Sequence, residues 1–140
     1  MIRRKALPSD IDQRLPALDE ALTRCPSVVF AYLFGGAATG RLTPLSDVDV
    51  AVYLDAAADP VDARLDAIRA VTARLGTDEV DVVVLNTAPT ALVGRLLATR
   101  QVILDRDPWL RHRFESLALH RFFDFRIFEH RLLERRSRRG

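Results

Sequence analysis

Cysteine and long apolar runs are scarce in this 140-residue chain, and each scarcity removes a class of protein. Cys25 is the single cysteine, so there is no internal disulfide. The three histidines, His112, His120 and His130, all fall late and have only that one thiol to join them, which excludes the spacing of a structural zinc site. No apolar stretch approaches the roughly 18 to 20 residues that span a bilayer. The first ten residues, MIRRKALPSD, pass from a few positive charges into Pro8 and polar residues, without the apolar segment of a secretory signal. A soluble cytoplasmic protein is therefore expected, and 49% apolar residues are enough for one domain with an ordinary core.

The charge is asymmetric. Residues 106–140 carry ten arginines against five acids, whereas residues 1–105 carry eleven basic residues against fourteen acids. Lys5 is the sole lysine among 21 basic residues. An arginine-rich tail can bind phosphate or pair with the carboxylates of a protein partner, or it can be a solvated helix face.

Along the chain, apolar periodicity predicts a helix over 14–24, ended by Pro26, and a buried strand over 28–34 (VVFAYLF). A glycine loop and a strand over 48–54 (VDVAVYL) follow. Pro60 and Gly76 bracket a helix over 60–75, with Val61, Leu65, Ile68, Val71 or Thr72 and Leu75 at helical spacing. A third strand over 79–85, a short helix over 89–99 and an edge strand over 101–105 lead into a long helix or helix pair. This order predicts an α+β fold, a small mixed sheet covered by helices. The sheet-containing core is 1–105 and the arginine-rich helical segment 106–140, within a single domain over 1–140.

The chemistry concentrates in LFGGAATGRLTPLSDVDVAVYL, residues 33–54. Alternate side chains of a strand face the same way, so Asp47 and Asp49 present two carboxylates on one side. Such a pair repels itself and is complemented by a divalent cation. Asp81, alone among the β-branched residues of EVDVVVL, adds a third carboxylate if its strand neighbours theirs. Upstream, Phe34-Gly35-Gly36 can lead from a strand into a turn or helix start whose amides address phosphate.

These residues resemble the nucleotidyltransferase superfamily typified by DNA polymerase β. Its signature is Gly-Ser, about ten residues, Asp-x-Asp, and a third carboxylate on a later strand. Gly35-Gly36, a ten-residue spacer and Asp47-Val48-Asp49 match that spacing, Ser46 precedes the first aspartate, and Asp81 stands where the third carboxylate belongs. The length, and a late Asp124-Phe125-Arg126, narrow the resemblance to the minimal nucleotidyltransferase (MNT) antitoxins paired with HEPN ribonuclease toxins.

The resemblance implies an antitoxin that transfers AMP from ATP to a tyrosine of its HEPN toxin, the two forming a hetero-oligomer. It implies that Asp47 and Asp49 hold Mg²⁺, that Asp81 joins the metal site and activates the attacking hydroxyl, and that Gly35, Gly36, Thr39, Arg41 and Ser46 serve the nucleotide. The family loop reads Gly-Ser-Arg-Ala-x-Gly, whereas here Gly36 and Ala37 replace the serine and arginine. One hydrogen bond to a charged group is worth about 1.5–3 kcal/mol, so the expectation is an impaired transferase. The alternatives are an antitoxin that acts by contact alone and a small-molecule nucleotidyltransferase. Nucleic acid is not expected as a partner.

Tyr32 and Tyr53 read as core or sheet-face residues rather than acceptors, and Cys25 as a small buried residue. The aromatics of the last segment read as core, and Asp124 with Arg126 as a charge-assisted contact holding that helix.

Overall fold

The computed structural model describes residues 6–139. Residues 1–5, with Lys5 and half of the stretch read against a signal peptide, lie outside the described residues, as does Gly140. The strands are β1 (Val28–Phe34), β2 (Val48–Leu54), β3 (Val80–Val84) and β4 (Gln101–Asp105). The helices are α1 (Ile11–Arg14), α2 (Leu18–Thr23), α3 (Gly36–Thr39), α4 (Pro60–Leu75), α5 (Thr90–Thr99) and α6 (Pro108–Arg139).

The strands form one mixed sheet in the order β3-β2-β1-β4, with β1 antiparallel to β2 and β4, and β2 parallel to β3. Strand alternation divides the core between the two faces. Val48, Val50, Val52 and Val82 meet α2 and α4 through Leu18, Leu22, Val71 and Leu75. Phe30, Tyr32 and Ala51 meet α5 and the first half of α6 through Val93, Leu96, Leu97 and Phe114. Phe30 stacks on Tyr53 at 4.6 Å, and both tyrosines are structural, as expected. Cys25 is buried, which raises its thiol pKa.

Four local expectations are corrected or refined. The helix read over 14–24 is interrupted by a 3₁₀ turn over Leu15–Ala17, where Pro16 supplies no amide to continue an α-helical ladder. The loop after Gly35 contains one helical turn, α3.

The third concerns α4, which has the expected bounds, with Asp59 Oδ1 capping the Val61 amide at 2.9 Å and Gly76 closing the helix in the left-handed region. Its buried line is nevertheless Ala63, Ala67, Val71 and Leu75, while Val61 and Leu65 are exposed. Small alanines let the helix lie close on the sheet, and the larger residues flank the contact.

The fourth is α6, where the single long helix is the alternative that holds and the core reading of its distal aromatics is corrected. It is one 32-residue helix, not a pair. Its first half packs on α5, where Gly94 lies so close under Phe122 that a methyl group would enter the ring. Buried Glu115 ion-pairs with Arg111 and Arg100, both at 2.6 Å, and Arg111 with Asp105 at 2.7 Å, tying α6 to β4 and the end of α5. Beyond Phe122, residues 123–138 are all exposed, Phe123, Phe125, Ile127, Phe128, Leu132 and Leu133 among them. These aromatics are surface, not core. Asp124 is exposed and makes no contact with Arg126, which lies over the Phe122 ring at 5.9 Å. Residues two apart on a helix point in different directions.

Candidate functional site

The glycine loop and the aspartates meet at one end of the sheet because β1 ends where β2 begins. Phe34, the last residue of β1, pairs with Asp49 across the antiparallel ladder, and Asp49 in turn stands opposite Asp81 across the parallel one. Strand alternation puts Asp49 and Asp81 on the same sheet face as Ala51 and Val83, the face that carries α5 and α6. Asp47 lies just before β2, at the same end. Three carboxylates spread over 35 positions of sequence thus come to one end of two neighbouring strands.

The geometry shows in the charge balance. Asp49 is half-buried, and its carboxyl pKa is pushed up to about 6, first by burial and then by the negative charges of Asp81 and Asp47. Asp81, on the edge strand β3, is exposed. Among the described residues, no three His, Cys, Asp or Glu side chains form a ready-made metal cage. Carboxylates at a strand end are the type of oxygen donor that a divalent cation takes when water and phosphate oxygens complete its shell.

The loop is built tightly against this cluster. Gly35 adopts φ 66° and ψ −146°, a conformation nearly restricted to glycine. A Cβ placed on it would lie 2.6 Å from Asp49 Oδ2. Its carbonyl accepts from the Ala38 and Thr39 amides and from Thr39 Oγ1, at 3.1 to 3.2 Å, closing α3. The Gly35 amide donates to Thr99 Oγ1 at 3.1 Å. Gly36 has no such restriction, since the nearest atom to an added Cβ is the Arg41 carbonyl oxygen at 3.5 Å.

The remaining residues read from the sequence sit around this loop. Thr39 is exposed and its hydroxyl is engaged with Gly35. Ser46 accepts from the Thr43 amide at 2.9 Å and lies 2.9 Å from the Thr43 hydroxyl, so it holds the turn before Asp47. Arg41 is exposed just after α3. Thr99 was not found by sequence reasoning. It lies 64 positions from Gly35, in no motif, and only the return of α5 to this end of the sheet brings it there.

Among curated proteins none matches this chain in sequence. Solved structures do match in fold. A toxin-antitoxin complex with AMP-PNP contains a chain 20% identical, with a TM-score of 0.70, covering 90% of this chain and 98% of its own. The complex of a tri-AMPylated Shewanella oneidensis HEPN toxin with its MNT antitoxin contains one 18% identical, with a TM-score of 0.66, covering 91% of this chain and 98% of its own. A third, from an MntA-HpeT toxin-antitoxin mutant with two Asp-to-Glu changes, is 18% identical with a TM-score of 0.67, covering 84% and 93%. At these identities the likeness is one of fold. The model of the polymerase beta nucleotidyltransferase family matches residues 17–109, which span both the glycine loop and all three aspartates. This chain therefore belongs to the polymerase beta nucleotidyltransferase family.

Proposed function

We propose that this protein is an MNT-type antitoxin that transfers AMP from ATP to a tyrosine hydroxyl of a HEPN ribonuclease toxin and thereby silences it. The observation that carries the reading is the convergence of Gly35, Asp49 and Asp81, with the glycine backbone against one carboxylate and the second opposite it in register. Nucleotide transfer needs a place for triphosphate beside a place for a divalent cation, and this arrangement supports that reading.

In this reading Asp47, Asp49 and Asp81 hold Mg²⁺. A bound magnesium ion would offset the charge that develops on the triphosphate. The first amides of a helical turn have no partners within the turn, so those of Gly36 and Ala37 face the phosphates. Thr39 and Arg41 flank them. Ser46 keeps Asp47 in place. Asp81, the exposed member of the set, takes the proton of the tyrosine hydroxyl. The tyrosine oxygen then bonds to the α-phosphorus of ATP, the bond to the bridging oxygen breaks, and pyrophosphate leaves.

The distal half of α6 supports a protein partner. Six large apolar side chains on residues 123–133 are exposed in one stretch of helix flanked by arginines. So many large apolar side chains left in water on one helical stretch mark contact with another protein. Two relatives in fold come from toxin-antitoxin complexes, one holding AMP-PNP and one with an AMPylated HEPN toxin.

The test is the intact mass of a candidate HEPN toxin after incubation with this protein, ATP and Mg²⁺. The expected result is a gain of one or more AMP units that disappears with Asp47→Asn/Asp49→Asn. A specific observation favours a second reading, inhibition by contact alone: Gly36 and Ala37 stand where the family loop has serine and arginine. That reading is supported if the toxin is bound and inhibited without any mass gain.

A further inference from the structure

The glycine loop is only partly held by its own hydrogen bonds. Gly35 sits in a backbone region that glycine tolerates but does not particularly prefer, and the residues after it form only a single helical turn, too short to be stable alone. Contacts from elsewhere in the fold complete the hold, among them the core packing of Ala37 and Leu42 and two contacts at Gly35 itself. One side is closed by the Asp49 carboxylate, which two other carboxylates repel. The other is the hydrogen bond from the Gly35 amide to Thr99 Oγ1.

Thr99 is well placed to be a fixed point. It is the last residue of α5, and its hydroxyl lies 3.4 Å from the Leu96 carbonyl, to which it donates. A hydroxyl has one proton and two lone pairs. Spending the proton on Leu96 aims a lone pair at Gly35. The next residue, Arg100, turns to extended backbone, donates to the Leu97 carbonyl at 2.7 Å and ion-pairs with buried Glu115 of α6. The end of α5 is therefore tied both to its own last turn and to α6, while its threonine reaches across to the loop.

We propose that Thr99 is a positioning residue for the nucleotide. By accepting the Gly35 amide it sets the turn from which the Gly36 and Ala37 amides meet the triphosphate, and it keeps Gly35 against Asp49. This rests on the nucleotidyl-transfer reading above. It adds a residue that lies outside every motif of that reading and touches neither phosphate nor metal. It also links the site to α6, because Arg100 and Thr99 are consecutive.

The experiment compares ATP binding in the presence of Mg²⁺, by calorimetry, for the full-length protein and its Thr99→Val and Thr99→Ser variants, with the Gly35 amide followed by NMR. Valine keeps the volume and removes the acceptor, whereas serine keeps the acceptor and removes the methyl group. The expected result for Thr99→Val is ATP affinity about three- to tenfold weaker, the size of one ordinary hydrogen bond, with an upfield Gly35 amide proton. Thr99→Ser should bind within twofold of the natural protein. Unchanged binding by Thr99→Val overturns the proposal, as does equal weakening by both variants, which would mean that the methyl group matters and the acceptor does not. If the natural protein binds no ATP, the transfer reading itself falls, and Thr99 has no nucleotide to position.

Discussion

Gly35 and Asp49 occupy one another's space: the carboxylate Oδ2 stands 2.6 Å from where a glycine Cβ would be. The glycine is thus required twice, by its positive φ and by the acid beside it. Gly35→Ala should weaken ATP binding sharply and destabilise the fold by about 1–3 kcal/mol, the range for strained backbone positions. Calorimetry and a denaturant melt measure the two effects separately. A variant with natural stability and natural ATP affinity would show that the loop has another conformation available.

The neighbouring glycine behaves oppositely. A Cβ added at Gly36 meets only ordinary contacts, the nearest at 3.5 Å. Gly36→Ser should fold normally and restore the hydroxyl that the family loop carries. A hydrogen bond to charged phosphate is worth about 1.5–3 kcal/mol, so ATP should bind on the order of ten- to a hundredfold tighter. AMP transfer should rise with it. No change in either would mean that the missing serine is already compensated within this site.

Asp49 should titrate within the physiological range. Its folded pKa, about 6, lies above its ordinary value of 3.8, so the folded protein holds this proton more tightly than the unfolded chain. The sign follows from linkage. The contribution to stability without metal is present below about pH 4 and is lost as pH rises through 6. Divalent cations need the ionised form, so their binding should strengthen over the same interval. Carboxyl NMR of Asp49 should show a midpoint near pH 6, moved lower but not fully to the ordinary value in Asp81→Asn, because burial is the larger cause. A midpoint near 4 in the natural protein would contradict the crowding.

The exposed half of α6 gives the fourth prediction. Phe128→Glu/Leu132→Glu changes two side chains that are 65% and 41% exposed and pack in no core cluster. Thermal melting of the protein alone should stay within a degree or two, while capture of the toxin should fall by at least tenfold in size-exclusion or pull-down measurements. Undiminished capture would place the toxin contact on another face.

Much of this fold is written locally. Strand composition, Pro60 and Asp59 at the start of α4 and Gly76 at its end all set elements through short-range physics, and the structure has those elements within a residue or two. The Gly-Gly and Asp-x-Asp spacing is also local, because a loop of fixed length must return the chain beside the strand it left. Local pattern misjudged what depends on the distance to a neighbour. The buried face of α4 is set by how closely alanines can approach the sheet, and the aromatics of α6 look like core until the helix outruns the body that would cover them.

What only the tertiary structure decided is the company each site residue keeps. The sequence by itself determined that three aspartates and a glycine pair exist in strand and turn contexts. The parallel pairing of β2 with β3 then set Asp81 opposite Asp49, and their proximity under partial burial produced the raised pKa. The return of α5 brought Thr99 to the Gly35 amide. Neither relation has a local signature, since electrostatic coupling and hydrogen bonding depend on separation in space and these residues lie 32 and 64 positions apart.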